Sequence, residues 1–168
     1  VMVLAPAGIG KSRLRREIVA RVQRSGTRVI SARCDALYAG SPNHAVAELV
    51  RLSADIHEDQ AADVRRERLV AYVDAAFPEG MRPRACDFLG ELLRAPGEQP
   101  SPLVRAARND PRVMAEQVRE VFEAWLRALT EEGPLLVVLE DVHWSDASSA
   151  RLFESALEVL ADARGVQE

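Results

Sequence analysis

The stretch Val1-Met2-Val3-Leu4-Ala5-Pro6-Ala7-Gly8-Ile9-Gly10-Lys11-Ser12 decides the fold. Its first four residues form a continuous apolar run that breaks at Pro6 and Gly8, the pattern of a strand buried on both faces and feeding a tight loop. Beyond Lys11 the period changes. Leu14, Ile18 and Val22 recur every four residues while Arg15, Arg16, Arg21 and Arg24 fall elsewhere, so residues 11–24 predict an amphipathic helix closed by Gly26. Thr27 to Arg33, with Val29 and Ile30 at its centre, predicts a second strand. Strand, glycine loop, helix and strand make a βαβ unit, and the fold class is α/β with a parallel sheet.

A Gly-x-Gly-Lys-Ser loop between strand and helix can hold phosphate for a physical reason. Backbone N–H groups from Gly8 to Ser12 can point into one concavity, the helix N-terminus adds partial positive charge, and glycine lets the chain approach phosphate oxygens closely. Lys11 then reaches the β- and γ-phosphates as a compact charge, and Ser12 offers its hydroxyl to Mg²⁺. Of the 22 basic residues Lys11 is the one lysine, so arginine serves everywhere else and the compact ammonium is kept here. Ala5 stands where such loops usually begin with glycine.

Mg²⁺ held by Ser12 calls for a carboxylate at the end of another buried strand. Leu135-Leu136-Val137-Val138-Leu139 is the most apolar run in the chain, and it delivers Glu140 and Asp141 at its carboxyl end. Glu140 is expected to hold the metal, through water, and Asp141 to orient or activate an attacking water.

Between the two motifs the pattern is helical from Ala36 to Asn109. Ser41-Pro42 reads as an N-cap followed by proline, leading into Val46, Leu49 and Val50 on one face. Val64, Leu69, Val73 and Phe77 predict a helix ending at Pro78, and Leu89, Leu92 and Leu93 a shorter one ending at Pro96. Ala95 to Pro102 reads as a loop. Asp110-Pro111 repeats the cap signal, and Met114, Val118, Val121, Phe122, Trp125 and Leu129 form a stripe closed by Gly133-Pro134. A last helix from Ser145 or Asp146 is expected to bury Leu152, Phe153, Ala156, Leu157 and Leu160. Trp144 reads as a packing residue, His143 as a turn cap or a link to a neighbouring domain, and His44 and His57 as solvated. The cluster Arg65, Arg66 and Arg68 reads as a solvated face.

Composition sets the remaining bounds. With 168 residues, 48% of them hydrophobic and 29% charged, the chain can build one core, which excludes disordered, collagen-like and coiled-coil classes. Its longest apolar stretches fall far short of the roughly 20 residues needed to cross a bilayer. No secretory signal is recognisable at the start, so a cytoplasmic location is expected. Position 1 is not Met, and the sequence reads as a segment of something longer. Cys34 and Cys86 lie far apart, with no metal-ligand spacing around them. The net charge of −4 gives no general attraction to nucleic acid, so none is expected as a direct partner.

Ala-Gly-Ile-Gly-Lys-Ser-Arg-Leu (Ala7 to Leu14) and Leu-Glu-Asp-Val-His-Trp-Ser-Asp (Leu139 to Asp146) together resemble the AAA-type ATPase domain of STAND signalling proteins. The resemblance spans nearly the whole chain, residues 36–110 matching only in helical character. It implies a three-layer P-loop NTPase core: one partial domain over residues 1–168, with 36–110 as a helical insertion. The implied cofactors are ATP and Mg²⁺. Ala7, Gly8, Ile9, Gly10, Lys11, Ser12 and Arg13 would surround the nucleotide, Ser12, Glu140 and Asp141 the metal, and Lys11, Glu140 and Asp141 would be catalytic. Many relatives have Asp where Glu140 stands, so the metal role belongs to the pair.

The same resemblance implies an ATP-hydrolysing switch beside a kinase, cyclase or DNA-binding module of a bacterial signalling protein, with nucleotide-dependent oligomers. In such ATPases a later strand lies between the phosphate-loop strand and the acidic strand. This sequence stops before it, so an unfilled sheet position and inefficient hydrolysis are expected. Two other classes stay open: a P-loop kinase acting on a small acceptor, and a non-catalytic interaction module stabilised by nucleotide. No lid with arginines follows the loop as the kinase requires, and intact Lys11, Ser12, Glu140 and Asp141 weigh against a degenerate site.

Overall fold

The computed structural model describes residues 2–4, 6, 8–38 and 40–165, with side-chain burial described as far as residue 161. The elements run α1 (Lys11–Arg24), β1 (Arg28–Arg33), α2 (His44–Ser53), α3 (Ala62–Ala76), α4 (Arg82–Leu92), α5 (Pro102–Asn109), α6 (Pro111–Glu131), β2 (Leu135–Glu140) and α7 (Ala147–Gly165). β1 and β2 pair in parallel, in register from Arg28 opposite Leu135 to Arg33 opposite Glu140. The crossover between them is the whole helical unit α2–α6, so the molecule is α/β, through β1 and β2 rather than through the βαβ unit predicted over residues 1–33.

Local chemistry sets the helix ends. Gly26 sits at φ 80° after α1, and Thr27 N–H donates to the Val22 carbonyl at 3.1 Å while Gly26 N–H donates to that of Gln23 at 3.0 Å. This is a Schellman closure, which needs a left-handed residue at that position. Asp110 caps α6 by accepting from Arg112 N–H at 2.9 Å, with Pro111 in the first turn. Ser101 caps α5 in the same way, accepting from Val104 N–H at 3.2 Å. That helix was hidden in the stretch read only as helical, although Ser101-Pro102 carries the same signal as Asp110-Pro111. α2 begins at His44, later than Ser41-Pro42 suggests.

The core lies in the helical unit and the sheet face that it covers. Trp125, Phe88, Phe122, Leu49, Leu69 and Leu129 are fully buried. Phe122 packs edge-on to Phe153 of α7 at 5.3 Å between ring centroids, and Trp125 Nε1 donates to the Tyr72 hydroxyl at 2.7 Å. On β1 alternation holds from Ile30 onward: Ile30 and Ala32 face the core while Ser31 and Arg33 are exposed.

Two expectations about strands need correction. Met2, Val3 and Leu4 form no strand and are 73%, 53% and 82% exposed; Val1 and Ala5 lie outside the described residues. A buried strand needs a hydrogen-bonded neighbour and cover on both faces. Among the described residues β1 and β2 pair only with each other, so no neighbour stands ready for this segment. For the same reason β2 is half-buried along its length and not the buried strand expected. α1 has no buried residue, and Leu14 and Ile18, expected to face a core, are 48% and 43% exposed. Leu157, expected to be buried, is 67% exposed, whereas Leu152 and Ala156 of the same helix are inside.

Candidate functional site

The loop before α1 turns through two left-handed glycines, Gly8 at φ 84° and Gly10 at φ 97°. A Cβ built at either meets nothing within 4 Å, so the backbone angle and not crowding demands glycine there. Gly10 is the N-cap, and its carbonyl accepts from Arg13 and Leu14 N–H at 3.0 Å. Lys11 Nζ donates to the Pro6 carbonyl at 2.8 Å, which folds the ammonium back over the loop. Ile9, Ser12 and Arg13 are exposed beside it, and Ala7 lies outside the described residues.

Glu140 and Asp141 stand at the carboxyl end of β2, and the ladder continues there through Cys34 N–H to the Glu140 carbonyl at 3.0 Å. The two side chains part company. Arg15, one turn beyond Lys11 on α1, reaches Glu140 Oε1 at 3.0 Å, with both side chains about one-third exposed (35% and 32%). Asp141 sits at φ 54° and accepts from Arg33 Nε at 2.8 Å. The structure thus brings α1 to Glu140 and turns Asp141 toward the end of β1. An ion pair this exposed adds little stability, so its value is as a record of geometry.

Ser12, Glu140 and Asp141 offer hard oxygen donors, the type Mg²⁺ takes, and Mg²⁺ ordinarily keeps several waters and substrate phosphates beside one or two carboxylates. The donor set fits that cation. Among the described residues no cluster of three or more His, Cys, Asp or Glu forms a protein-only metal cage.

Asp146 was readable in the sequence only as the start of a helix. The residue is 8% exposed, and its carboxylate accepts four hydrogen bonds. Oδ1 takes Asn43 N–H and Ser149 N–H, each at 2.8 Å, while Oδ2 takes His44 N–H at 3.1 Å and the Ser149 hydroxyl at 2.6 Å. Burial pushes its pKa up, but the bonds from Ser149, Asn43 and His44 outweigh that and hold the carboxyl below its ordinary value. Next to it Cys34 is buried, and desolvation raises its thiol pKa despite a hydrogen bond with Ser145.

Other sequence readings change in the structure. Trp144 is 43% exposed and rests near His143 at 5.0 Å between ring centroids, so it is not a core packing residue. His44 stacks on Tyr38 at 4.1 Å and is half-buried; burial first, and Arg51 second, lowers its pKa. The arginine cluster is not a plain solvated face. Arg66 donates to the carbonyls of Cys86 at 2.7 Å and Ala95 at 3.3 Å, and Arg68 pairs with Asp55. These arginines tie α3 to its neighbours, which explains their grouping on one helix. No described helix is long and apolar enough to cross a membrane.

Compared with known families, residues 1–166 match the AAA ATPase domain. A relative in Rhizobium meliloti (strain 1021), described only as an uncharacterised protein, is 29% identical over 164 residues. That match covers 96% of this chain and 15% of the relative, so the chain spans a small part of that protein's length. No solved structure matches the chain.

Proposed function

The chain belongs to the AAA ATPase domain family, an ATPase-type nucleotide-binding domain, and on that premise we propose that it is a Mg-ATP-binding, ATP-hydrolysing switch within a larger bacterial signalling or regulatory protein. The observation that carries this reading is the ion pair from Arg15 to Glu140, which ties the helix opening on Gly8-Ile9-Gly10-Lys11-Ser12 to the end of the acidic strand. A phosphate-binding loop and an acid pair meeting at one end of a parallel sheet is what phosphoryl chemistry needs. The short share of the Rhizobium relative that matches supports the reading as one module among others. Neighbouring effector domains, nucleotide-dependent oligomers and a cytoplasmic location belong to the same proposal.

In this reading the main-chain amides from Gly8 to Ser12 and the Lys11 ammonium bind the polyphosphate, Lys11 exchanging the Pro6 carbonyl for phosphate oxygens, while the Arg13 amide is already taken by the Gly10 carbonyl. Ser12, Glu140 and Asp141 would hold Mg²⁺, which when bound neutralises charge on the β- and γ-oxygens. The acid pair orients a water in line with the γ-phosphorus and takes up its proton as the bond to the β–γ bridging oxygen breaks, leaving ADP and phosphate. Attack on the γ-phosphorus requires Arg15 and Arg33 to leave the carboxylates accessible. Titration with a fluorescent ATP analogue tests the site. Lys11→Ala is expected to abolish binding, and Glu140→Gln to slow turnover with binding retained; unchanged affinity in the Lys11 variant refutes the assignment.

A further inference from the structure

We propose that Asp146 is a positioning residue that carries the state of the Glu140–Asp141 pair into the helical unit, an inference that rests on the nucleotide-site reading above. A helix cap needs only the two bonds from Ser149. The other two come from Asn43 and His44, which lie 103 and 102 positions away and open α2. α2 has no cap of its own, since Asn43 stands at φ 60° and its side chain makes no capping bond. Its first amides are satisfied by a carboxylate from the other strand's loop. A buried carboxylate is tolerated only where donors surround it, and the two amides that open α2 are half of the donors it has here.

The connection back to the acids has little slack. Between Asp141 and Asp146 the chain makes one tight turn, with Trp144 N–H donating to the Asp141 carbonyl and Ser145 N–H to that of Val142, each at 2.9 Å. On the far side α2 buries Ala45, Val46, Leu49 and Val50 in the core. A shift of the acid loop when ligand arrives therefore pulls on α2 through Asp146, and a shift of α2 displaces the acids.

Hydrogen exchange in the intact protein tests this, following amides 43–47 with and without a non-hydrolysable ATP analogue and Mg²⁺. In the wild type the analogue is expected to change their exchange about tenfold. In Asp146→Asn, which puts an NH₂ donor where an oxygen accepted, that response is expected to vanish while analogue affinity is retained. The same variant is expected to lower kcat about tenfold with KM for ATP unchanged, the signature of misplaced chemistry rather than lost binding. Ser149→Ala keeps the bonds to Asn43 and His44 and should keep the response. A response in Asp146→Asn equal to the wild type, or one lost equally in Ser149→Ala, overturns the inference and leaves Asp146 a simple cap. If Asp146→Asn does not fold, the wild type alone decides: unchanged exchange at 43–47 with analogue bound also overturns it. A wild type that does not bind the analogue at all removes the nucleotide-site reading itself, and this inference with it.

Discussion

The helical unit α2–α6 and the segment from Met2 to Arg24 are built on opposite terms. The first buries Trp125, Phe88 and Phe122 completely, whereas α1 has no buried residue at all. The first is held by its own apolar packing; the second packs against β1 and carries the partly exposed ion pair from Arg15 to Glu140. The apolar packing and the Lys11 segment are therefore placed in different parts of the chain, and a change in that segment should leave the core nearly untouched, whereas the acids of β2 stay tied to α2 through Asp146.

Substitutions can break that contrast or sharpen it. Trp125→Ala empties the centre of the core and removes the indole donor from the Tyr72 hydroxyl, so a loss of about 3–5 kcal/mol is expected in chemical denaturation. Lys11→Ala should weaken ATP-analogue binding at least about a hundredfold, roughly 2.7 kcal/mol, while the denaturation midpoint stays put. Gly90→Ala places a Cβ 2.8 Å from Arg66 Nη1 and 2.9 Å from the Ala95 carbonyl oxygen. The arginine can move but the backbone carbonyl cannot easily, and an overpacking loss of about 1–3 kcal/mol is expected from the same denaturation experiment. Leu14→Ala, on the exposed face of α1, should cost less than about 0.5 kcal/mol. A Leu14→Ala loss as large as that of Gly90→Ala would show that α1 shares the core after all.

The sequence was most legible where a signal is local. The helix from Lys11 to Arg24, the Asp110-Pro111 start of α6 and the strand leading to Glu140 all follow from periodicity and capping within a few residues. Legibility failed where burial depends on partners remote in sequence. Met2 to Leu4 have the composition of a buried strand, but composition cannot supply a neighbouring strand, and Leu14 and Ile18 carry a core-like period with little to cover them. At the candidate site the residue types could be read, but not the division of Glu140 toward Arg15 and Asp141 toward Arg33. Asp146 was visible only as a helix start, because two of its four donors come from the other side of the crossover.

The parallel pairing of β1 and β2 fixes how the helices are mounted. They leave the ladder at the carboxyl end of one strand and return at the amino end of the next, so their two attachment points lie a full strand length apart. A body fastened that way resists swinging about a single pivot. Both ends of the crossover are thereby anchored to the ladder, one at each end of the strands.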